Sequence, residues 1–136
     1  MDKKRLVQEY MAMMQKWSHW DPKLCRNADG SKIWWEVTVR AEGDNRLPIK
    51  IEYPPDYPAS PPSIFILTPL PDGTPHRYPA DNRMCWIYPG EKTRQRDMWN
   101  PSTHTAALCV AVAWQWFNAF LVWITLGRWP IRDALA

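Results

Sequence analysis

The sequence predicts an α+β domain in which an N-terminal helix precedes an antiparallel β-meander, a long loop and a tryptophan-rich helical block. Apolar residues recur every three or four positions in residues 3–19, whereas they alternate with polar ones in residues 32–40 and 47–53. Residues 105–126 contain no charged residue. The connections between the strands are too short for helical crossovers, so the strands should be antiparallel. The whole chain, residues 1–136, is expected to form a single domain.

Composition and charge argue against several classes of protein. The net charge of +3 comes from Lys and Arg residues that are spread along the chain, so a nucleic-acid partner is not expected. The three cysteines are an odd set without a CxxC pair, which argues against a disulfide framework and a zinc site. No metal or other cofactor is expected. The charged start of the chain is not followed by the smooth apolar run of a signal peptide, so a cytoplasmic location is expected.

The first predicted element is a helix over residues 3–19. Its apolar stripe consists of six residues at three- and four-residue spacing: Leu6, Val7, Tyr10, Met11, Met14 and Trp17. The charged residues, Glu9 among them, are predicted to lie largely off this stripe. A turn is predicted over residues 21–30, where Cys25 is expected to be an exposed thiol without a role.

Three strands are predicted next. The buried faces of the first two, residues 32–40 and 47–53, are predicted to carry Ile33, Trp35, Val37 and Val39, and then Leu47, Ile49, Ile51 and Tyr53. Residues 41–45 have the composition of a hairpin turn, and residues 63–68 are predicted to be a short buried strand. Pro48 lies inside the second strand, so strand pairing is expected either at an edge or only after this proline.

A long loop, residues 69–95, has no periodicity and is dense in Pro, Gly, Asp and Asn. A stretch of this length in a compact domain is usually functional or disordered, and its aromatic content favours an ordered loop. Cys85 lies in this loop, and loops between rigid elements are common positions for catalytic side chains. Cys85 is therefore the candidate nucleophile, and the alternative is a packed loop thiol.

The apolar block at residues 105–126 has two interpretations. By length and hydropathy it is able to span a bilayer. The polar side chains of Gln115 and Asn118 in its middle, and the need of the strands for a covering helix, favour a buried helix, either continuous or broken near residues 111–113. Gly127 is a predicted helix stop, and Cys109 is predicted to be a core residue.

Four short motifs occur in the order found in ubiquitin-conjugating enzymes. Tyr57-Pro58-Ala59-Ser60-Pro61-Pro62 matches the YPxxPP segment of that family, and His76 precedes Cys85 as the histidine of the family's HPN motif precedes its catalytic cysteine. Met84-Cys85-Trp86 resembles the triplet around that cysteine, and Trp99-Asn100-Pro101 resembles the family's Trp-Ser-Pro. The stretches MCWIYPGE and WITLGRW are similar to short bacterial members that accompany nucleotide cyclases in cyclic-oligonucleotide anti-phage signalling (type II-short CBASS).

The resemblance implies a ubiquitin-conjugating (UBC-like) fold with a thioester carried on Cys85. The implied acyl donor is a protein C-terminal tail, either of a nucleotide cyclase or of a ubiquitin-like protein, with or without an activating enzyme. The implied acceptor is a lysine or another amine, and neither nucleic acid nor membrane is an expected partner. A UBC-like binding module without catalysis is the alternative from a different class of function.

The chain departs from the family's pattern around the cysteine. His76 is followed by Arg77-Tyr78 where the family has Pro-Asn, so the asparagine that supports the oxyanion there is missing from its usual position. Asn82 is a candidate substitute as an oxyanion donor, and a turn residue is the alternative. The resemblance implies for His76 a role in organising the loop, with general base catalysis as the alternative.

Four further residues are candidates for the groove around the cysteine. Asp81 and Asp97 are candidates for orienting an attacking lysine, and the alternative for each is a solvated loop carboxylate. Trp86 and Tyr88 are expected to wall the groove, with core packing as the alternative.

Overall fold

The computed structural model describes residues 1–85 and 99–130 and confirms the α+β class, with an N-terminal helix, an antiparallel sheet and a C-terminal helix. The helices and strands are α1 (Lys3–Trp17), β1 (Lys23–Arg26), β2 (Ile33–Arg40), β3 (Arg46–Glu52), β4 (Ser63–Ile66), β5 (Arg77–Tyr78), β6 (Arg83–Met84) and α2 (Ala106–Leu126). A 3-10 turn, Ser18–Trp20, follows α1.

The six strands form one antiparallel sheet in the order β1-β2-β3-β4-β6-β5. The predicted meander is its centre, β2 to β4, and the predicted inward faces of β2 and β3 are buried apart from Ile33, which is only partly covered. Sequence periodicity missed the three short outer strands β1, β5 and β6, because two to four residues are too few to show alternation.

Cys25 lies in a strand rather than in the predicted turn. It belongs to the edge strand β1, opposite Trp34 of β2, and its side chain is half-buried. The prediction of an exposed turn thiol was therefore wrong. Neighbouring turn residues dominated the pattern, whereas the pairing that forms β1 is a contact with another part of the chain.

Pro48 is accommodated in the interior of the sheet. It lies opposite Thr38 in the β2–β3 ladder, where pairing continues past the proline, whereas the β3–β4 ladder begins at Ile49, directly after it, as predicted. Its carbonyl accepts the N–H of Leu67 at 3.0 Å, on the side of β4. The amide nitrogen of a residue points to the same side as its carbonyl in a strand, so the missing N–H faces the end of β4 and not the β2 ladder.

The buried face of α1 differs from the predicted stripe. Glu9 and Met13 are its fully buried residues, whereas Val7, Tyr10 and Met11 are about half exposed or more. The prediction failed because apolar periodicity places every charged side chain on the solvent side. A carboxylate is buried here because four donors satisfy it, one from Arg5 on the same helix and three from distant parts of the chain.

The C-terminal helix α2 is continuous, so the break considered near residues 111–113 is absent. Thr105 caps its first turn through its hydroxyl, and Gly127 ends it with a left-handed φ of +75°. Cys109 is fully buried, as predicted. Within the described ranges, α2 is the one helix that is both long enough and apolar enough to cross a membrane. Half of its most apolar 18-residue segment is buried inside the protein. Ten of its residues are buried, and eight of these belong to the core that it forms with the sheet and α1, as predicted for a buried helix.

Candidate functional site

Cys85 lies where the chain leaves the edge of the sheet, directly after the buried Met84 of β6. Its side chain is partly exposed. The backbone N–H of Cys85 donates to the carbonyl of His76 at 2.9 Å, one residue before β5. The β5–β6 hairpin is thus closed at its open end by a bond from the candidate nucleophile, and the thiol is held at a defined place on the surface.

His76 holds this closure in an unusual backbone conformation. Its φ is +59°, in the left-handed region that non-glycine residues seldom adopt. Its carbonyl accepts a second hydrogen bond, from the indole nitrogen of Trp116 on α2 at 3.2 Å. Its imidazole packs against Trp129, with the ring centroids 4.9 Å apart. These contacts favour a loop-organising role for His76.

The side chain of Asn82 joins the β5–β6 hairpin to the neighbouring strand β4 through hydrogen bonds. Its side-chain nitrogen donates to the carbonyls of Ile66 and Thr68, both at 3.0 Å, and its side-chain oxygen accepts from Arg77 at 3.1 Å. An amide nitrogen has two hydrogens, and both are used to join the hairpin to the end of β4. Asn82 also has a φ of +60°, as expected of a turn residue. In this conformation the amide does not offer a hydrogen to an oxyanion at Cys85, and the geometry favours the turn alternative.

The remaining candidates have different positions. Asp81 is exposed at the tip of the hairpin, where its carboxylate accepts the backbone N–H of Arg83 at 3.0 Å. Arg83 lies over the ring of Tyr78 with 4.5 Å between its guanidinium carbon and the ring centroid. Trp86, Tyr88 and Asp97 lie outside the described residues.

Trp99, at the start of the second described range, is fixed to the YPxxPP segment. Its indole nitrogen donates to the carbonyl of Pro58 at 2.7 Å, and its ring is 5.8 Å from that of Tyr57. Trp99 is 7% exposed and also packs against His104 at 5.5 Å. Two of the four motifs found in the sequence are therefore in direct contact.

The buried carboxylate of Glu9 joins this region to the two helices. Its oxygens accept from the hydroxyls of Tyr53 and Tyr57 at 2.9 and 2.8 Å, from Arg5 at 3.0 Å and from the backbone N–H of Ala106 at 2.8 Å. Burial raises the pKa of both tyrosines well above its ordinary value, and the negative charge of Glu9 raises it further.

Arg5 extends the same cluster to the segment before α2. Its guanidinium donates to the carbonyls of Pro101 and His104. Neither Arg5 nor Glu9 stood out in the sequence, because a charged pair four residues apart on a helix is ordinary on a solvated face.

The other two thiols are poorer nucleophiles than an ordinary cysteine. Burial raises the pKa of Cys109 well above its usual range, and burial followed by the charge of Glu36 raises that of Cys25. Less thiolate is therefore present at neutral pH at either position. No disulfide joins the three cysteines, all of which lie in the described ranges.

No group of three His, Cys, Asp or Glu side chains within residues 1–85 and 99–130 is placed to hold a metal ion.

A family model described as "Type II CBASS E2 protein" matches residues 9–135. The match takes in Cys85 and all four motifs from Tyr57 to Pro101. Comparison with curated proteins gives no match.

Proposed function

The chain belongs to the type II CBASS E2 family, and from that premise we propose that it carries an acyl group as a thioester on Cys85 and transfers it to an amine. Membership of the family makes it an E2-like protein of antiphage defence with protein partners in the CBASS system. The proposed activity is that of a ubiquitin-conjugating-like acyltransferase.

The position of Cys85 is the observation that carries this proposal. Its side chain is partly exposed, as is that of Cys25, whereas Cys109 is fully buried. Cys25 differs in that its pKa is raised by burial and by the charge of Glu36. A carrier thiol must be reached by a partner's C-terminal tail and then by an amine, so partial exposure on a fixed backbone suits it. The hydrogen bond to His76 supplies that fixed backbone.

The proposed reaction consists of two acyl transfers. In the first, the Cys85 thiolate attacks the carbonyl carbon of a protein C-terminus that is already activated as a thioester; a new C–S bond forms and the donor thiolate leaves. In the second, an amine nitrogen attacks the same carbon, the C–N bond forms, Cys85 leaves as thiolate, and the amine loses a proton to solvent or a base. Exchange between two thiols is nearly isoenergetic, so the first step needs little activation of Cys85.

The partners and residue roles follow from the same scheme. The acyl donor is a protein C-terminal tail, of a nucleotide cyclase or a ubiquitin-like protein, and an activating enzyme is required if that tail arrives as a free carboxylate. We propose a cytoplasmic location, where thiols stay reduced. His76 and Asn82 support the loop in this scheme, and Asp81 at the hairpin tip is the described carboxylate proposed to orient an attacking lysine.

The test uses intact-mass measurement of the full chain after incubation with a synthetic peptide thioester. The wild-type protein should gain the peptide acyl mass and lose it on treatment with a reducing thiol. Cys85→Ser should give an adduct that resists the thiol, because an oxyester replaces the thioester, while Cys25→Ser and Cys109→Ser should behave as wild type. An adduct that persists in Cys85→Ala would overturn the proposal.

A binding module without catalysis is the second candidate, and the exposed apolar side chains of α2 are the observation that favours it. Trp114, Ile124 and Leu126 are 43%, 52% and 73% exposed, on a helix that has no charged residue. Exposed apolar groups of this kind are frequent at protein interfaces. For such a module, Cys85→Ala would leave every function of the protein unchanged, and Cys85 would react with iodoacetamide no faster than Cys25.

A further inference from the structure

Two tryptophans outside the four short motifs, Trp116 and Trp129, converge on the backbone that holds Cys85. Trp116 comes from the middle of α2 and is 2% exposed. Trp129 follows the left-handed turn at Gly127, which ends α2. Their ring centroids are 5.7 Å apart, and the imidazole of His76 lies 4.9 Å from that of Trp129.

We infer that Trp116 and Trp129 are positioning residues for Cys85, acting through His76; this inference rests on the proposed function of Cys85. The two act by different physical means. Trp116 acts through a hydrogen bond, and Trp129 acts through the packing of its ring.

The hydrogen bond of Trp116 connects α2 to the nucleophile through one oxygen. The carbonyl of His76 accepts the indole N–H of Trp116 at 3.2 Å and the backbone N–H of Cys85 at 2.9 Å. A carbonyl oxygen has two lone pairs and satisfies both donors. The backbone of Cys85 is thereby held in place by a buried side chain of α2 as well as by the loop itself.

The contribution of Trp129 is steric. Its indole nitrogen is enclosed by protein and has no hydrogen-bond partner among the described residues. What it offers His76 is therefore a ring face or edge. That contact matters because His76 has a φ of +59°, and a non-glycine residue stays in the left-handed region only where its surroundings hold it there.

Ordinary core packing is the competing explanation for this cluster, and phenylalanine substitutions separate the two. Phenylalanine keeps an aromatic ring and removes the indole N–H. If packing alone mattered, Trp116→Phe and Trp129→Phe would have similar effects. If the inference holds, Trp116→Phe lowers the rate of acyl loading because it loses the hydrogen bond to His76. Trp129→Phe changes that rate little, because the indole N–H of Trp129 has no partner among the described residues.

The experiment measures three quantities on the full chain: the rate of acyl loading from a peptide thioester, the iodoacetamide rates of Cys85 and Cys25 in the same sample, and the thermal midpoint. Trp116→Phe should lower loading by about fivefold to tenfold, the order of one lost hydrogen bond. Trp129→Ala should lower loading to a similar extent, because it removes the ring that packs against His76. They should also change the ratio of the Cys85 rate to the Cys25 rate. Trp129→Phe should stay within about twofold of wild type.

Trp17→Phe is the matched control, because the indole N–H of Trp17 also donates to a backbone carbonyl, that of Ala107 at 2.9 Å, and Trp17 is outside the cluster. It should leave loading and the cysteine ratio unchanged. Equal effects of the two Phe variants, or wild-type loading by Trp116→Phe, would overturn the inference. So would equal changes at Cys25 and Cys85, since these report general loosening of the fold.

Two further arrangements keep the test decisive. If Trp116→Phe does not fold, benzothienylalanine at position 116 keeps the shape of the indole and replaces its N–H with sulfur, and the same result is expected. If the wild-type protein forms no thioester, the proposed function fails. The iodoacetamide ratio still shows whether the two tryptophans position Cys85.

Discussion

The carboxylate of Glu9 accepts the backbone N–H of Ala106 at 2.8 Å and so joins the N-terminal helix directly to the first turn of α2. An N–H in the first turn of a helix has no partner within that helix. Here a side chain 97 residues away in sequence supplies the acceptor. The same carboxylate binds Tyr53 and Tyr57, so both helices and the segment after β3 meet at one fully buried group.

We expect Glu9→Ala to destabilise the fold by about 3 kcal/mol or more, because it leaves Arg5, two tyrosine hydroxyls and the Ala106 N–H without their acceptor. Glu9→Gln should destabilise the fold less, but still by more than about 1 kcal/mol. The NH₂ group of glutamine is itself a donor, so it cannot accept the hydrogen bonds of the two donors that face it. Urea unfolding followed by tryptophan fluorescence measures both. Glu52→Gln is the control: the Glu52 pair with Lys50 is partly exposed and should contribute about 1 kcal/mol or less. Equal effects at positions 9 and 52 would contradict this account.

Tyr53 and Tyr57 should remain protonated in the folded protein at pH values where an ordinary tyrosine ionises. Burial raises the pKa of both above the unfolded value of about 10, so their stabilising bonds are fully present below about pH 10 and are lost as the pH rises further. Ultraviolet absorbance of tyrosinate should therefore show two residues that ionise only together with alkaline unfolding.

Single substitutions check this assignment of the titration. Tyr53→Phe and Tyr57→Phe should each remove one of the two late-ionising groups. Tyr78→Phe should leave both late-ionising groups in place, because the bonds to Glu9 come from Tyr53 and Tyr57. Smooth ionisation of all tyrosines near pH 10, with the fold intact, would show that the two hydroxyls are not bonded to Glu9 as described.

The three cysteines should react with iodoacetamide in the order Cys85, Cys25, Cys109. Burial and Glu36 raise the pKa of Cys25, so its rate should keep increasing at pH values where a thiol of ordinary pKa has levelled off. Cys109 is fully buried with a strongly raised pKa and should react only after unfolding. Peptide mapping at several pH values measures all three, and rapid labelling of Cys109 in the native protein would contradict the buried position.

Asn82→Ala should loosen the β5–β6 hairpin and destabilise the protein by about 1–3 kcal/mol, since two partly buried carbonyls lose their donor and alanine is strained at a φ of +60°. Asn82→Gly removes the strain and keeps the loss of the side chain, so it should recover part of the stability. Hydrogen exchange at the Ile66 amide, which donates to the Asn82 carbonyl, reports the hairpin directly. A large fall in acyl loading with unchanged stability and exchange would instead favour the oxyanion role.

The central strands were predictable because one face of each is in the core. Alternation along β2 and β3 reports burial directly, so Trp35, Val37, Ile49 and Ile51 were placed correctly from their spacing alone. The end of α2 was predictable for a local reason as well, since Gly127 supplies the left-handed residue that a helix stop favours.

The failures share a different cause: they depend on groups far apart in sequence. Nothing local to Glu9 indicates that two tyrosines more than 40 residues away will bury it. Likewise, Cys85 was found from its loop and from neighbouring motifs, but the residue that bonds the same carbonyl, Trp116, lies 40 positions from His76 in an apolar helix of uniform appearance. The contacts that build the site join residues far apart in the chain, and local periodicity in the sequence does not reveal such contacts.

The bond between Glu9 and Ala106 also sets an order of events during synthesis. At about 5–20 residues per second, the ribosome needs roughly 5–20 s to add the 97 residues that separate them. During that time the Glu9 carboxylate has no α2 to receive it, and burying it unpaired would be unfavourable. We therefore expect α1 to stay solvated and the sheet to lack its covering helix until α2 has been made, so that the protein closes late and in one step around a carboxylate made 97 residues earlier.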